Sequence, residues 1–486
     1  VMDFRANQEI RRGEIPAGSG TRLGGDFGSA ASSQHRGKVR TMRQEKALRI
    51  VIHTLGCAKN LVDSERLAGA VCQAGGEFVR QTSRADVLVV NTCGFVDDAI
   101  EESAQTLLEA LRWKKAKNGR RVMVMGCLSQ RDGASLTDEM PELDGVFGIG
   151  EWARMLEALH LNPLGNGGMP KGLADGRLAL SGPGSAYLRI SDGCSMGCSF
   201  CSIPQMRGFL RSEPMEKLLI EARALAATGV RELILIGQET TSYGVDLYGR
   251  RRLIELLWRL AEIPELCWLR VLYLHPPSTT PKFLEELARV PKLCPYLDFP
   301  IEHASDRLLK RMNRHASAAQ MREAIAAFRQ ARPDACVRTS VMVGFPGETQ
   351  AEFDELYRFI DEVRFERAGA FVFSAQEGTL AVSFPDCVEE GVALDRVDRI
   401  MKLQRRICRE KHAHLIGRVM EVLIERTRGG QSWGRTVWDA PEIDAEVRVP
   451  AALTPGDIVP VEITSASAYR LDGVPLVNGH GEGGDA

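Results

Sequence analysis

Between Asp192 and Cys201 the chain reads DGCSMGCSFC, which spaces Cys194, Cys198 and Cys201 as C-x3-C-x2-C, with Phe200 before the last cysteine. This spacing sets three thiolates around one loop. A 4Fe–4S cube normally takes four protein ligands, so three local cysteines leave one iron open to bind and activate a small molecule. That points to a catalytic cluster rather than an electron relay. Structural zinc sites are closed by a fourth ligand, and no His lies near this loop. Disulfides fit poorly as well, because the twelve cysteines are scattered over 486 residues without a dense small scaffold.

A second set is distributed differently. Cys57, Cys93 and Cys127 each stand beside a glycine and each follow an apolar strand candidate: 49–54, 86–91 and 121–125. In a parallel sheet all C-terminal strand ends share one edge, so these three distant cysteines converge there. One such cysteine is ordinary packing; three at equivalent points predict a second 4Fe–4S cluster, again with an open iron. The glycines let the backbone approach it closely. Cys72, inside a helical stretch, reads as core, and Cys267, Cys294, Cys336, Cys387 and Cys408 read as packing.

The elements that position these residues follow from periodicity. Strands alternate with helices expected at about 62–74 and 98–117, which predicts a doubly wound parallel α/β domain over residues 49–160. A Gly/Pro-rich stretch, 161–185, reads as a linker. Six strand candidates follow, near Tyr187, Glu232, Trp268, Leu297, Val337 and Gly369. Each precedes a helical stretch, so residues 186–413 are expected to form an open, partial (βα)6 barrel. The cluster loop sits at the end of its first strand, where such folds place chemistry. Further site candidates lie at other strand ends: Gly237 and Glu239, His303 with Ser305, and Gly344 in Gly344-Phe345-Pro346-Gly347-Glu348. Glu239 is positioned to accept a bond from an ammonium group, and the Gly344 turn to lie against an adenosine. Arg338 projects from the fifth strand. Arg207 and Arg211, close after the cluster loop, either hold an anionic substrate or shape access. For each of these taken alone, a turn or a satisfied polar group is the simpler account.

The composition, 44% hydrophobic and 26% charged with a net charge of −2, is that of an ordinary soluble protein with no global attraction to nucleic acid. No apolar run approaches the ~20 residues of a membrane span. With reduced cysteines and no secretory segment, a cytoplasmic location is expected. Residues 1–48, rich in Gly, Ser and Arg, read as a disordered arm, or as a translated upstream stretch with the natural start near Met42. From 414 to 476, short alternating strands punctuated by Gly and Pro predict a small OB-like antiparallel barrel, with residues 477–486 a flexible tail. Such modules often bind RNA. Residues 417–486, however, carry eleven Asp/Glu against six Arg and no Lys, which suits a basic protein partner better than a nucleic acid.

The C-x3-C-x2-C loop resembles the radical S-adenosylmethionine signature. Over residues 49–476 the chain is similar to the radical S-adenosylmethionine methylthiotransferases. Thr54–Asn60 (TLGCAKN), Val90–Phe95 (VNTCGF) and Gly126-Cys127-Leu128 look like that family's auxiliary-cluster motifs, and the terminal barrel looks like its TRAM domain. The segments 238–246 (QETTSYGVD) and 439–444 (DAPEID) resemble the ribosome-modifying branch. Glu302 departs from it, standing where that branch usually has Gln. The resemblance implies two 4Fe–4S clusters and S-adenosylmethionine as cofactors. Cys194, Cys198 and Cys201 would hold the cluster whose open iron binds S-adenosylmethionine; Cys57, Cys93 and Cys127 would hold the auxiliary cluster. Phe200, Gly237, Glu239, His303, Arg338 and Gly344 are the cofactor-binding candidates. The implied reaction adds a methylthio group to the β-carbon of an aspartate in small-subunit ribosomal protein twelve, with an electron donor such as flavodoxin or ferredoxin. A tRNA adenosine methylthiotransferase is the second reading, and a non-catalytic iron–sulfur RNA-binding scaffold is the reading of another class.

Overall fold

The computed structural model describes residues 47–162, 173–174 and 176–476. The expected N-terminal arm, much of the expected linker and the C-terminal tail therefore lie outside the described residues.

Apolar, β-branched runs build the first sheet: Arg49–Thr54 (β1), Val87–Thr92 (β3) and Arg121–Gly126 (β4). Two short edge strands too brief to show in the sequence pattern, Glu77–Phe78 (β2) and Gly145–Val146 (β5), complete it. The order is β2-β1-β3-β4-β5 and every pairing is parallel. Ala58–Gln73 (α1), Asp97–Lys115 (α2) and Cys127–Glu139 (α3) are its long helices. Ile50, Val89 and Met123 pack with Leu67 and Val71 of α1 on one face. Val51, Val90 and Val124 pack with Leu107 and Ala110 of α2 on the other. Helix α1 starts four residues before the predicted Val62. Ala58-Lys59-Asn60 reads as loop in isolation, but Cys57 is the N-cap and these residues form the first turn.

All six barrel strands are present: Ser185–Arg189 (β6), Glu232–Ile236 (β7), Trp268–Val271 (β8), Tyr296–Asp298 (β9), Cys336–Val343 (β10) and Arg367–Val372 (β11). They pair in parallel as β6-β7-β8 and β9-β10-β11, and one parallel bridge, Leu269 to Leu293, links the two triplets. The strands thus form an open arc. Its outer helices pack a single large core through Leu218, Leu256, Leu284, Ile325, Phe353 and Ile400, among others.

At the C-terminus, Val419–Arg428 (β12), Gln431–Thr436 (β13), Glu446–Val449 (β14), Ile458–Ala466 (β15) and Arg470–Pro475 (β16) close a five-stranded barrel in the order β12-β13-β14-β16-β15. The sequence pattern gave three of these strands. The Gly-containing β13 and β16 do not alternate cleanly.

The stretch expected to be a linker ends in a clamp. Arg177 is buried and binds Glu65 of α1 and Glu221 of the barrel, 2.7 Å and 2.8 Å, and donates to the Tyr187 carbonyl at 2.6 Å. Glu65 also accepts from the backbone of Leu180 and Ser181. Gly69 makes the approach possible: a Cβ there would lie 2.0 Å from the Gly176 carbonyl oxygen.

Two of the cysteines assigned to packing are not packed. Cys294, Cys336 and Cys408 are buried, but Cys267 and Cys387 are exposed, since both fall in loops outside the apolar faces, and Cys72 is only half-buried.

Candidate functional site

Cys57, Cys93 and Cys127 each follow a parallel strand, but each is held differently. Cys57 is the N-cap of α1, and Cys127 is the first residue of α3, behind Gly126 at φ 113°. The N–H groups of Lys59 and Asn60, in the first turn of α1, bear on the Cys57 sulfur and lower its pKa. Cys93 sits on a loop instead. There Ser103 of α2 clips both its backbone groups, accepting from the Cys93 N–H at 3.1 Å and donating to its carbonyl at 2.8 Å.

The loops are in direct contact. A Cβ on Gly56 would stand 2.9 Å from the Cys93 sulfur, so only glycine allows the Cys57 loop so close. Asn60 ties the set together. Its amide donates to the carbonyls of Leu55 (2.9 Å) and Thr92 (3.1 Å), and its Oδ1 lies 3.5 Å from the Cys127 sulfur and accepts from Arg207 at 2.7 Å. Burial pushes the Cys93 thiol up to about 12. Burial also raises Cys57, but Lys59 and Arg207 beside it more than offset this, and its net shift is downward.

The triad of Cys194, Cys198 and Cys201 lies beyond the end of β6. Gly193 brings the cluster loop against the following segment, where a Cβ would be 2.1 Å from the Phe209 carbonyl oxygen, and Cys194 N–H donates to Gly208 at 3.1 Å. Ser199 anchors the loop from below through the carbonyls of Met312 (3.0 Å) and Arg311 (3.0 Å), while Asn313 donates to Gly197 at 2.7 Å. Burial pushes Cys194 up to about 11 and Cys201 up to about 12. Cys198 has Arg314 at 3.8 Å. Among the described residues no group of three or more His, Cys, Asp or Glu is gathered as for a single metal ion. The soft all-sulfur donor sets suit iron–sulfur cubes, whose irons lie between the cysteines.

Arg207 joins the two triads. It is buried and bonds Asp63 (2.9 Å) and Asn60 on the α1 side and Asp192 (3.2 Å), two residues before Cys194, on the barrel side. Asp63 also binds Arg189 at 2.5 Å. The sequence left Arg207 open between anion holder and loop former; the structure engages it inside the protein. Arg211 is exposed on a short strand, Arg211–Ser212.

Several other candidates are occupied within the fold. Glu239 is buried, and its carboxylate accepts from the N–H groups of Thr241 (2.5 Å) and Ser242 (3.0 Å), so it caps its own loop. His303 is buried, accepts from Ser305 N–H at 2.9 Å and lies 3.4 Å from Glu348. Arg338 does not reach the cluster edge. It sits in the first half of β10 and pairs with Asp298 (3.0 Å) and Asp444 (3.7 Å), because the terminal barrel plugs that end. Gly237 and Gly344 are at the expected strand ends. A Cβ would meet Ser191 Oγ at 2.5 Å in the first case and Ala393 at 2.8 Å in the second. Phe200 packs beside Phe345, Leu308 and Met312. Glu302, in a left-handed conformation (φ 63°), pairs with Arg314 at 3.0 Å, and burial raises its carboxyl. The departure from Gln thus adds a charge that Arg314 neutralises. Asn60, Ser103 and Arg314 were missed as functional residues. Only Asn60 left a signal, as part of the Cys57 motif.

The acidic excess of the terminal barrel is partly internal. Asp439 and Asp444 of the 439–444 segment are buried against Arg367 (2.5 Å) and Arg338 of the large barrel, and Tyr296 donates to Asp444 at 2.6 Å. Arg435 of β13 in turn binds Glu232 of β7. The segment docks on the large barrel through Asp439 and Asp444, whose charges do not face a partner.

An open six-stranded α/β barrel with a three-cysteine loop after its first strand is the architecture of radical S-adenosylmethionine enzymes, and the Radical SAM superfamily model matches residues 188–360. The model of the uncharacterized protein family UPF0004 matches residues 49–148, and the TRAM domain model matches 416–476. Relatives named ribosomal protein uS12 methylthiotransferase RimO align along nearly their whole length. The one from Chlorobium luteolum is 41% identical over 87% of this chain and 96% of its own. That from Syntrophotalea carbinolica is 42% identical over 86% and 95%, and that from Clostridioides difficile 40% over 88% and 98%. The chain belongs to the RimO family of radical S-adenosylmethionine methylthiotransferases. It is an enzyme, and its cofactors are 4Fe–4S clusters and S-adenosylmethionine.

Proposed function

We propose that this enzyme methylthiolates the β-carbon of an aspartate in small-subunit ribosomal protein uS12. The observation that carries this reading is the full-length similarity to relatives of that name. The convergence of two cysteine triads, joined through Arg207, supports it. Cys194, Cys198 and Cys201 would hold the cluster that binds S-adenosylmethionine, and Cys57, Cys93 and Cys127 the auxiliary cluster. When bound, these groups supply the radical that activates an inert C–H bond and the site from which sulfur is delivered.

The protein's own residues do the positioning. Asn60 and Ser103 fix the auxiliary loops. The Arg207 bridge to Asp63 and Asp192 holds the two centres in one frame, so that a side chain entering between them faces both. Gly237, Gly344 and Phe200 shape the barrel mouth around the cofactor. The division of labour follows the chain: 49–160 for the auxiliary centre, 186–413 for the radical centre, 414–476 for the terminal module. A small flavodoxin- or ferredoxin-type protein supplies the electron. The ribosomal target places the work in the cytoplasm; no helix among the described residues is long and apolar enough to cross a membrane.

The test is a comparison of single-cysteine variants after anaerobic reconstitution. Cys194→Ala is expected to abolish deoxyadenosine formation. Cys93→Ala is expected to retain it and make no methylthiolated product. Normal product from Cys93→Ala would end the two-centre reading.

A further inference from the structure

Every buried arginine among the described residues is ion-paired with a carboxylate. The one buried lysine among them, Lys59, has no such partner. Its ammonium lies 3.7 Å from the centre of the Tyr273 ring. Its other charged neighbours are the Cys57 sulfur and a second cation, Arg207. Lys59 is also the second residue of α1, the positive end of that helix, whose first turn holds no acidic residue. The helix end does not favour a cation, and the Cys57 sulfur and the Tyr273 side chain support its charge instead. What Lys59 lacks is the carboxylate partner that every one of those buried arginines has.

Tyr273 gives a second, independent indication. It has φ 62°, a left-handed conformation that is an outlier for a bulky aromatic residue. Such strain collects at ligand sites. Its N–H is fixed on Asp298 at 2.8 Å, which holds the ring under the ammonium.

The location supplies such a carboxylate. Lys59 is two residues after Cys57 of the auxiliary triad, and Tyr273 is two residues beyond the end of β8 at the mouth of the barrel. A substrate carbon serving both centres must come to this junction. In an aspartate the carboxyl carbon is bonded directly to the β-carbon, so a group that holds the carboxylate also fixes the carbon that reacts. We propose that Lys59 binds the side-chain carboxylate of the target aspartate and thereby selects an acidic residue and orients its β-carbon. This rests on the aspartate substrate proposed above. The cation–π contact positions the ammonium, and the arriving carboxylate completes a charge-assisted hydrogen bond away from bulk water.

The test measures binding to the anaerobically reconstituted holoenzyme. The probes are uS12 and uS12 whose target aspartate is replaced by asparagine, at one ionic strength. The wild-type enzyme is expected to prefer the aspartate form. Lys59→Met should weaken that form roughly tenfold or more and leave the asparagine form nearly unchanged. Lys59→Arg should keep much of the preference. Equal affinity of the wild-type enzyme for both forms would overturn the proposal, whatever the variants do. An equal loss for both forms in Lys59→Met would overturn it too. So would loss of auxiliary iron with the preference intact, since Lys59 would then serve the cluster's charge alone. A wild-type enzyme that binds neither form would remove the proposed function and this inference together, whereas binding of both forms without preference would remove only the inference.

Discussion

Asn60 shows how much one amide does at this site: it bonds two cysteine loops, touches a third cysteine and receives Arg207. Asn60→Ala is therefore expected to release the auxiliary loops from one another while leaving the loop of Cys194 intact. Iron analysis after reconstitution should find roughly four irons fewer per chain. A full complement of iron in that variant would contradict the role. The cysteines themselves were legible in the sequence, because their meaning lies in short spacing or in repeated position after apolar strands. Ser103 and Arg314 were not, since an isolated Ser or Arg carries no local pattern and their cysteine partners lie 10 and 116 residues away. Lys59 stands in the same motif as Cys57 and Asn60, but its contact with Tyr273 appears only in the fold. Glu239, His303 and Arg338 show the converse. Their places along the chain were read correctly, but their side chains are occupied by a loop backbone, by Glu348 and by Asp298, and those partners appear only once the strands are assembled.

At the scale of elements, α1 is the hinge of the architecture. Its first turn carries Cys57, Lys59 and Asn60, and its next turns send Asp63 and Glu65 into the barrel. Arg177 faces Glu65 and Glu221 in a buried triad, so Arg177→Met would leave Glu65 buried without an ion pair and Glu221 with Arg66 alone, at 3.4 Å. The expected cost is about 3–5 kcal/mol, read from denaturant unfolding followed by tryptophan fluorescence. A change below about 1 kcal/mol would show that the clamp is not structural. The six barrel strands were legible as apolar runs followed by helices. The clamp was not, because a Gly/Pro-rich composition predicts looseness and is silent about one arginine in its midst. The exposed Cys267 and Cys387 failed for a similar reason: residue type alone does not report which side of a loop faces water.

Across the whole molecule, the terminal barrel is joined to the rest by charge buried in ion pairs and by one histidine. His412, near the end of the helix Glu390–Ala413, is buried and donates from Nδ1 to the Ser467 carbonyl at 2.7 Å. Burial lowers it to about 4, below its ordinary value of 6.5. A base that is neutral when folded and protonated when unfolded contributes stability that is present above about pH 6.5 and is lost as the pH falls toward 4. The loss across that window is up to about 3 kcal/mol. Thermal unfolding from pH 7 to pH 4.5 should therefore show a falling midpoint, with a shallower fall in His412→Gln. An identical pH slope in both proteins would contradict this. The acidic composition of the terminal module pointed toward a basic partner. With Asp439 and Asp444 buried against barrel arginines, that argument loses two of its carboxylates, and the identity of the target rests on the full-length relatives instead.

The central claim is that two cysteine-held centres act together on a protein aspartate. It is tested most directly by incubating the anaerobically reconstituted enzyme with reductant and S-adenosylmethionine, offering uS12 and tRNA side by side, and reading both by mass spectrometry. A methylthio mass on an aspartate of uS12, with unmodified tRNA, is the predicted result. Deoxyadenosine formation with uS12 unmodified, or the modification appearing on tRNA, would contradict it.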